Sequence, residues 1–191
     1  MFRVSIITPA NLSDPGLAIA TARAGATVFF DIEFCRQEDM QQVEDNMLQT
    51  MRHVPESATL GLRFGPNQAY FCLPLLAKLA TRPHGILLTG WAATSAAKTV
   101  AFLPPCDERA LYLEVIDPTQ VDLLDQLGIS VTGFIAKGHE CGGWVGESSA
   151  FILAQQVLNR TPLPVHVQGG IGPQTAAACL AAGAAGVVLD D

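Results

Sequence analysis

The sequence predicts an α/β fold, a compact TIM (β/α)8 barrel lacking its final helix. The first observation is a repeated piece of grammar. Asp14-Pro15, Asp117-Pro118 and Gly172-Pro173 each open an apolar run, and Gly25, Gly128 and Gly183 close those runs ten positions after the proline. Asp or Gly caps a short helix, Pro fills its first position where no N–H is needed, and Gly takes the left-handed exit. The second observation is that a β-branched run follows each exit, so a helix feeds a strand three times over. The third is that most strand candidates are continuous apolar runs, as expected when both faces of a parallel sheet are buried.

The elements follow in order. Strands are predicted near 3–8, 27–31, 58–63, 85–89, 110–116, 131–136, 164–168 and 186–190. Helices are predicted near 15–24, 39–52, 68–80, 92–100, 118–127, 148–159 and 173–182. Seven βα units and a bare eighth strand end the sequence at Asp190-Asp191. Leu103-Pro104-Pro105-Cys106 reads as a tight connection before the fifth strand. An open doubly wound sheet is the competing architecture, and periodicity alone does not exclude it. Residues 1–191 therefore read as a single barrel domain, excised from a longer multidomain chain. The missing helix predicts an apolar groove between the first and seventh helices, covered by a neighbouring domain or a second copy.

Composition narrows the function classes. The 191 residues are 49% hydrophobic and 15% charged, which excludes a disordered chain. The net charge of −7 argues against nucleic acid or an anionic membrane as the main partner. No apolar run approaches the ~18 residues of a membrane span. No secretory signal opens the sequence. The five scattered cysteines lack a C-x-x-C pair and read as buried thiols of a cytoplasmic protein. The sequons at Asn11 and Asn159 are discounted for the same reason.

In such barrels chemistry sits at the carboxyl ends of the strands. The polar residues there are Thr8, Asn11, Asp31, Glu33, Arg63, Thr89, Asp117, Lys137, His139, Glu140, Gln168, Asp190 and Asp191. Loops carry polar residues in any case, but two segments stand out. Gln168-Gly169-Gly170-Ile171-Gly172-Pro173 runs from a strand through a glycine cluster into a helix start, an arrangement that cradles phosphate. A tight turn that merely needs glycine is the alternative. The loop from Ala136 to Glu147 interleaves Lys137, His139, Glu140 and Cys141 with glycines and reads as a ligand-covering loop. Its contiguous His-Glu-Cys run is a poor metal site, and Cys141 lacks an evident orienting partner. His166 reads as a packed barrel residue, His53 and His84 as surface or strand-edge residues, and Trp91 as a cover for the mouth or a gap filler.

The stretch from Ala136 to Asp190 resembles the nitronate monooxygenase (2-nitropropane dioxygenase) family and the related FMN-dependent enoyl reductases. Those proteins carry a G-x-E-A-G-G-H-x-G loop after strand six, then P-V-x-x-x-G-G-I and G-A-x-x-V. Here the matching runs are Gly138 to Gly146, Pro164 to Ile171, and Gly183 to Val187. Val4 to Gly25 also resembles barrels at the N-terminus of polyketide and fatty-acid megasynthases.

The resemblance implies FMN at the barrel top, its phosphate on Gly169, Gly170 and Ile171, with Gly142, Gly143 and Gln168 against the cofactor. It implies NAD(P)H or substrate as the hydride donor, an acyl-type substrate, and an adjacent domain such as a ketosynthase. Lys137 would stabilise the reduced flavin, or else pair with Asp117 or Asp190. Two departures matter. Trp144 stands where the family has its catalytic histidine, and an indole is no base near neutral pH; His139 is the candidate substitute. Asp190-Asp191 replaces the Gly-Thr beside the phosphate. The rival expectation is a catalytically inactive, flavin-free barrel serving as a structural or docking domain. A phosphate-binding barrel with aldolase- or isomerase-like chemistry is a further alternative, and it would want a lysine inside the barrel rather than in a loop.

Overall fold

The computed structural model describes residues 2–10, 14–103 and 109–190. Eight parallel strands close into a barrel in chain order, β1 through β8, with β1 paired to β8. The strands are β1 (Arg3–Ile7), β2 (Thr27–Asp31), β3 (Leu60–Phe64), β4 (His84–Leu88), β5 (Arg109–Val115), β6 (Gly133–Lys137), β7 (Val165–Gln168) and β8 (Gly186–Leu189). The helices are α1 (Gly16–Arg23), α2 (Met40–His53), α3 (Ala69–Leu79), α4 (Ala93–Phe102), α5 (Thr119–Leu127), α6 (Ala150–Leu158) and α7 (Pro173–Ala181). Closure removes the open-sheet alternative. Asn11, Asp191 and the Pro104-Pro105-Cys106 connection lie outside the described residues.

The proline takes the first helical position in α7, whereas α1 begins one residue after Pro15 and α5 one residue after Pro118. Asp14 Oδ1 accepts from Gly16 N at 2.9 Å, and Asp117 Oδ1 accepts from Thr119 N at 2.8 Å. The exits at Gly25, Gly128 and Gly183 have φ of 85°, 63° and 95°, where a side chain would be strained. Two short 3-10 turns, Gln37–Asp39 and Pro66–Gln68, lead into α2 and α3.

Two cores result. The larger lies between the strands and the helices and includes Val28, Leu60, Ile86, Phe134 and Leu153. The smaller fills the barrel with Ile7, Phe29, Leu87, Tyr112, Ile135 and Val188. Below it, His166 is buried and meets the Tyr112 ring edge-on at 5.4 Å. Gly186 makes room for it, since a Cβ there would lie 2.7 Å from His166 Nδ1. His84 differs from expectation: it is buried at the start of β4, with Nδ1 3.0 Å from Arg82 O. The four described cysteines form no disulfide. Among the described residues, no helix is long and apolar enough to cross a membrane.

Where the eighth helix would lie, apolar side chains stay exposed. Val4 on β1, Leu189 on β8, Leu17 on α1 and Leu180 on α7 are 39%, 38%, 46% and 54% accessible.

Candidate active site at the barrel mouth

Side chains alternate along a strand, so the face that carries the inner core continues two residues further on. On β2, β4, β5, β6 and β8 that step arrives at Asp31, Thr89, Glu114, Lys137 and Asp190. On β3 and β7 it arrives at Arg63, two residues after Gly61, and Gln168, two after His166. Seven strands thus place a polar or charged residue in the top layer of the barrel.

Arg63 organises this layer. Its Nε and Nη2 donate to the two oxygens of Glu114 at 2.6 and 3.1 Å. Nη1 donates to Asp31 Oδ1 at 2.9 Å and lies 2.7 Å from Glu33 Oε2, while Nη2 donates to Thr89 Oγ1 at 3.1 Å. Burial opposes the guanidinium charge, but Glu114, Asp31 and Glu33 outweigh it and raise the arginine further. Burial raises Asp31 despite the pull of Arg63. Glu114 is fully buried, yet Arg63 and then Lys137 hold its carboxyl below the usual range. Trp91 fills the space beside β5, donating from Nε1 to Glu114 O at 2.7 Å.

Lys137 is the last residue of β6 and is 1% exposed. Its ion-pair partner is Glu114, 3.5 Å from Nζ, rather than Asp117 or Asp190. Asp117 is spent on capping α5, and its two hydrogen bonds from Thr119 lower its carboxyl. Asp190 accepts from Gln168 Nε2 at 2.8 Å. Lys137 Nζ, Glu33 Oε2 and Gln168 Oε1 are buried without a hydrogen bond. Most buried polar atoms are paired, so three such atoms at one end of the barrel mark a site.

The loop after β6 closes over this layer. Glu140 accepts from Ala150 N at 2.9 Å, capping the start of α6. A Cβ on Gly138 would lie 2.3 Å from Ala150 N, and one on Gly146 would lie 2.2 Å from Ile116 O. These motif positions therefore serve the loop fold. Gly143 has φ of 76°, and a Cβ there would lie 3.4 Å from Glu33 Oε2 and 3.5 Å from Lys137 Nζ. Gly142 meets nothing within 4 Å.

Beside the loop opens a cavity of about 190 Å³, lined by Ile7, Asp31, Glu33, Gly142, Gln168 and Asp190 among others. Of the expected site residues, Gly142, Gly143 and Gln168 line it, and the buried Lys137 lies behind Gly143, its Nζ 3.5 Å from where a Gly143 Cβ would sit. Gly169 and Gly170 form the positive-φ turn after β7, packed near Glu140, and Ile171 packs on the outer core. His139 is exposed and does not line the cavity; Trp144 is 69% exposed. Glu114 was missing from the expected set.

The FMN implied by the resemblance does not fit these residues as they stand. Cofactor and ligand sites occupy ~300 to 1,000 Å³, more than this cavity offers. Asp31, Glu33 and Asp190 all line it, and the one cation among its described lining residues, Arg63, is already shared among three carboxylates. A phosphate brought to this end would meet uncompensated negative charge.

No family model and no curated protein matches the chain. Solved structures do. FabK from Thermotoga maritima superposes with a TM-score of 0.75 at 18% identity, covering 99% of this chain and 58% of that one. Thiamine phosphate pyrophosphorylase from Pyrococcus furiosus gives 0.68 at 14% identity, covering 99% and 85%. The tryptophan synthase A-subunit from Pyrococcus furiosus gives 0.67 at 15%, covering 100% and 89%. The chain spans less than two thirds of FabK's length. At these identities the likeness establishes the fold, a TIM (β/α)8 barrel.

Proposed function

We propose that the chain is a flavin-free relative of the FMN-dependent enoyl reductase and nitronate monooxygenase barrels. In this reading it performs acid–base chemistry on a small acyl-type carbonyl compound at the barrel mouth. One observation carries this: the top layer is built from Asp31, Arg63, Thr89, Glu114, Lys137, Gln168 and Asp190 instead of apolar side chains. Buried ions rarely improve stability over apolar packing, so a purely structural barrel has little reason to keep this set. Carboxylates beside a cation are the equipment of proton transfer next to a carbonyl.

The test is a pair of titrations. Hydroxyacetone, a small neutral ketone, is expected to shift the amide resonances of Gly142, Gln168 and Asp190, while FMN at comparable concentration is not bound. No shift with hydroxyacetone overturns the carbonyl reading.

The FMN-dependent reading keeps one specific support. Gly142 lines the cavity, yet neither its φ nor its surroundings demand glycine. Saturable quenching of flavin fluorescence would restore that reading, with NAD(P)H-driven reduction of an enoyl thioester as its next test. The megasynthase context rests on the exposed seam of Val4, Leu17, Leu180 and Leu189. We read it as the face toward an adjoining domain of a longer polypeptide. A stable dimer of this chain that Leu180→Glu dissociates would assign the seam to a second copy instead.

A further inference from the structure

We propose that Lys137 is a catalytic residue that captures a short neutral hydroxy-ketone or hydroxy-aldehyde as an imine. The proposal rests on the carbonyl reading above and names its covalent step. Lys137 ends β6 inside the barrel, and its Nζ is buried without a hydrogen bond. Glu33 Oε2 is also buried without a hydrogen bond, in an ion pair with Arg63 Nη1 at 2.7 Å. Nζ and Oε2 both lie within 3.5 Å of the point where a Cβ on Gly143 would sit. Lys137 is ion-paired to Glu114 and Glu33 to Arg63, yet neither atom has a hydrogen bond, and the two flank one small space where a reacting atom reaches the nucleophile and its base together. Glu114 Oε2 is the nearer carboxylate, 3.5 Å from Nζ, but two hydrogen bonds from Arg63 hold its oxygens, against one Arg63 contact and one Thr89 hydrogen bond on Glu33.

The step balances without an oxidant or reductant. Glu33 and Lys137 do not touch, so Glu33 takes a proton from the Lys137 ammonium through a water seated between them, and the freed nitrogen pair forms a C–N bond to the carbonyl carbon. The C=O π pair moves to oxygen, which receives that proton. Glu33 then takes a second proton from nitrogen and delivers it to the hydroxyl. The C–O bond breaks, water leaves, and the protonated imine remains. Both hydrogens gained by the carbonyl oxygen come from the ammonium. The charge of the mouth sets the class of substrate. Asp31, Glu33 and Asp190 line the cavity against a single, fully engaged Arg63, so a keto-acid anion is disfavoured. Hydroxyl groups supply the donors that Gln168 Oε1 lacks.

The chain has three lysines, Lys78, Lys98 and Lys137, which makes the test site-specific. The intact protein is incubated with hydroxyacetone and sodium cyanoborohydride, digested, and read by mass spectrometry. A merely structural Lys137, being buried, would label slowest. The proposal expects it to label at least about tenfold faster than Lys78 and Lys98. Glu33→Gln should slow Lys137 labelling without altering that of Lys98, and pyruvate should label Lys137 more slowly than hydroxyacetone. Labelling of Lys137 no faster than that of the other two lysines overturns the proposal. If hydroxyacetone still shifts the mouth resonances in that case, only the imine step falls; if it shifts nothing, the carbonyl reading falls with it.

Discussion

Arg63 and Glu114 meet side by side inside the barrel, Nε to Oε1 at 2.6 Å and Nη2 to Oε2 at 3.1 Å, although 51 residues separate them in sequence. The paired geometry aligns two donors with two acceptors, the arrangement that lets a buried carboxylate stay charged. Asp31 and Glu33 lean on the same guanidinium. Removing the arginine leaves three buried carboxylates without their common partner. Arg63→Leu should therefore cost about 3–5 kcal/mol or more, read as a lower midpoint in urea unfolding. A loss under about 1 kcal/mol would show that the carboxylates relax into water.

Glu140 and Ala150 supply a second prediction. The carboxylate stands on the first amide of α6, where it satisfies an orphan N–H and complements the helix dipole. Glu140→Ala should destabilise the protein by about 1–2 kcal/mol, with hydrogen exchange rising first in α6. Unchanged exchange there would detach the motif glutamate from the cap.

Glu114 and Glu140 also show how much of the molecule the sequence revealed. Element order and type were legible because the Pro-to-Gly spacing, the caps and the apolar runs are local. The inward faces were not. A strand buried on both sides has no polar alternation to show which residues point into the barrel. Glu114, inside Leu111-Tyr112-Leu113-Glu114-Val115, was the available signal: a carboxylate in an apolar strand demands a buried cation. Its partner is fixed by barrel closure, which no local pattern encodes. Ending the sixth strand at 136 instead of Lys137 likewise put a barrel-interior amine at a loop boundary.

His166 sets a pH prediction. Burial, with a contribution from Arg3, lowers its pKa from 6.5 to about 4. Its folded pKa lies below the unfolded one, so the fold favours the neutral ring. The associated stability is present above about pH 6.5 and is lost as pH falls toward 4, amounting to roughly 3 kcal/mol. Glu114, also depressed, loses its contribution only at still lower pH, below its usual 4.5. Asp31, raised by burial, runs the opposite way as pH falls, so the imidazole's share is read from the difference between wild type and the His166 variant. His166→Gln should remove that share from the urea midpoint between pH 6.5 and 4.5. A wild-type profile parallel to that of His166→Gln from pH 7 to 4.5 contradicts the assignment.

The exposed seam gives a prediction of no effect. Leu17 and Leu180 are about half accessible, so little apolar area is removed from water when the described residues fold. Leu17→Gln and Leu180→Gln should each change unfolding stability by less than about 0.5 kcal/mol, while Leu153→Ala in the core should cost about 2–5 kcal/mol. Large losses at both seam positions would mean that they are covered in solution.

The glycines of the loop after β6 divide into two kinds, and substitution separates them. At Gly146 an added Cβ would run into the Ile116 carbonyl at 2.2 Å, a backbone atom that cannot rotate away. Gly146→Ala should cost about 1–3 kcal/mol or more and loosen the whole loop. Gly142 has neither a positive φ nor a neighbour within 4 Å. Gly142→Ala should be neutral, or stabilising by up to about 1 kcal/mol through the unfolded chain. Because Gly142 borders the cavity, the same methyl group should weaken hydroxyacetone binding while leaving the fold intact. Equal affinity in wild type and Gly142→Ala would place the ligand on the far side of the mouth, toward Ile7 and Asp190.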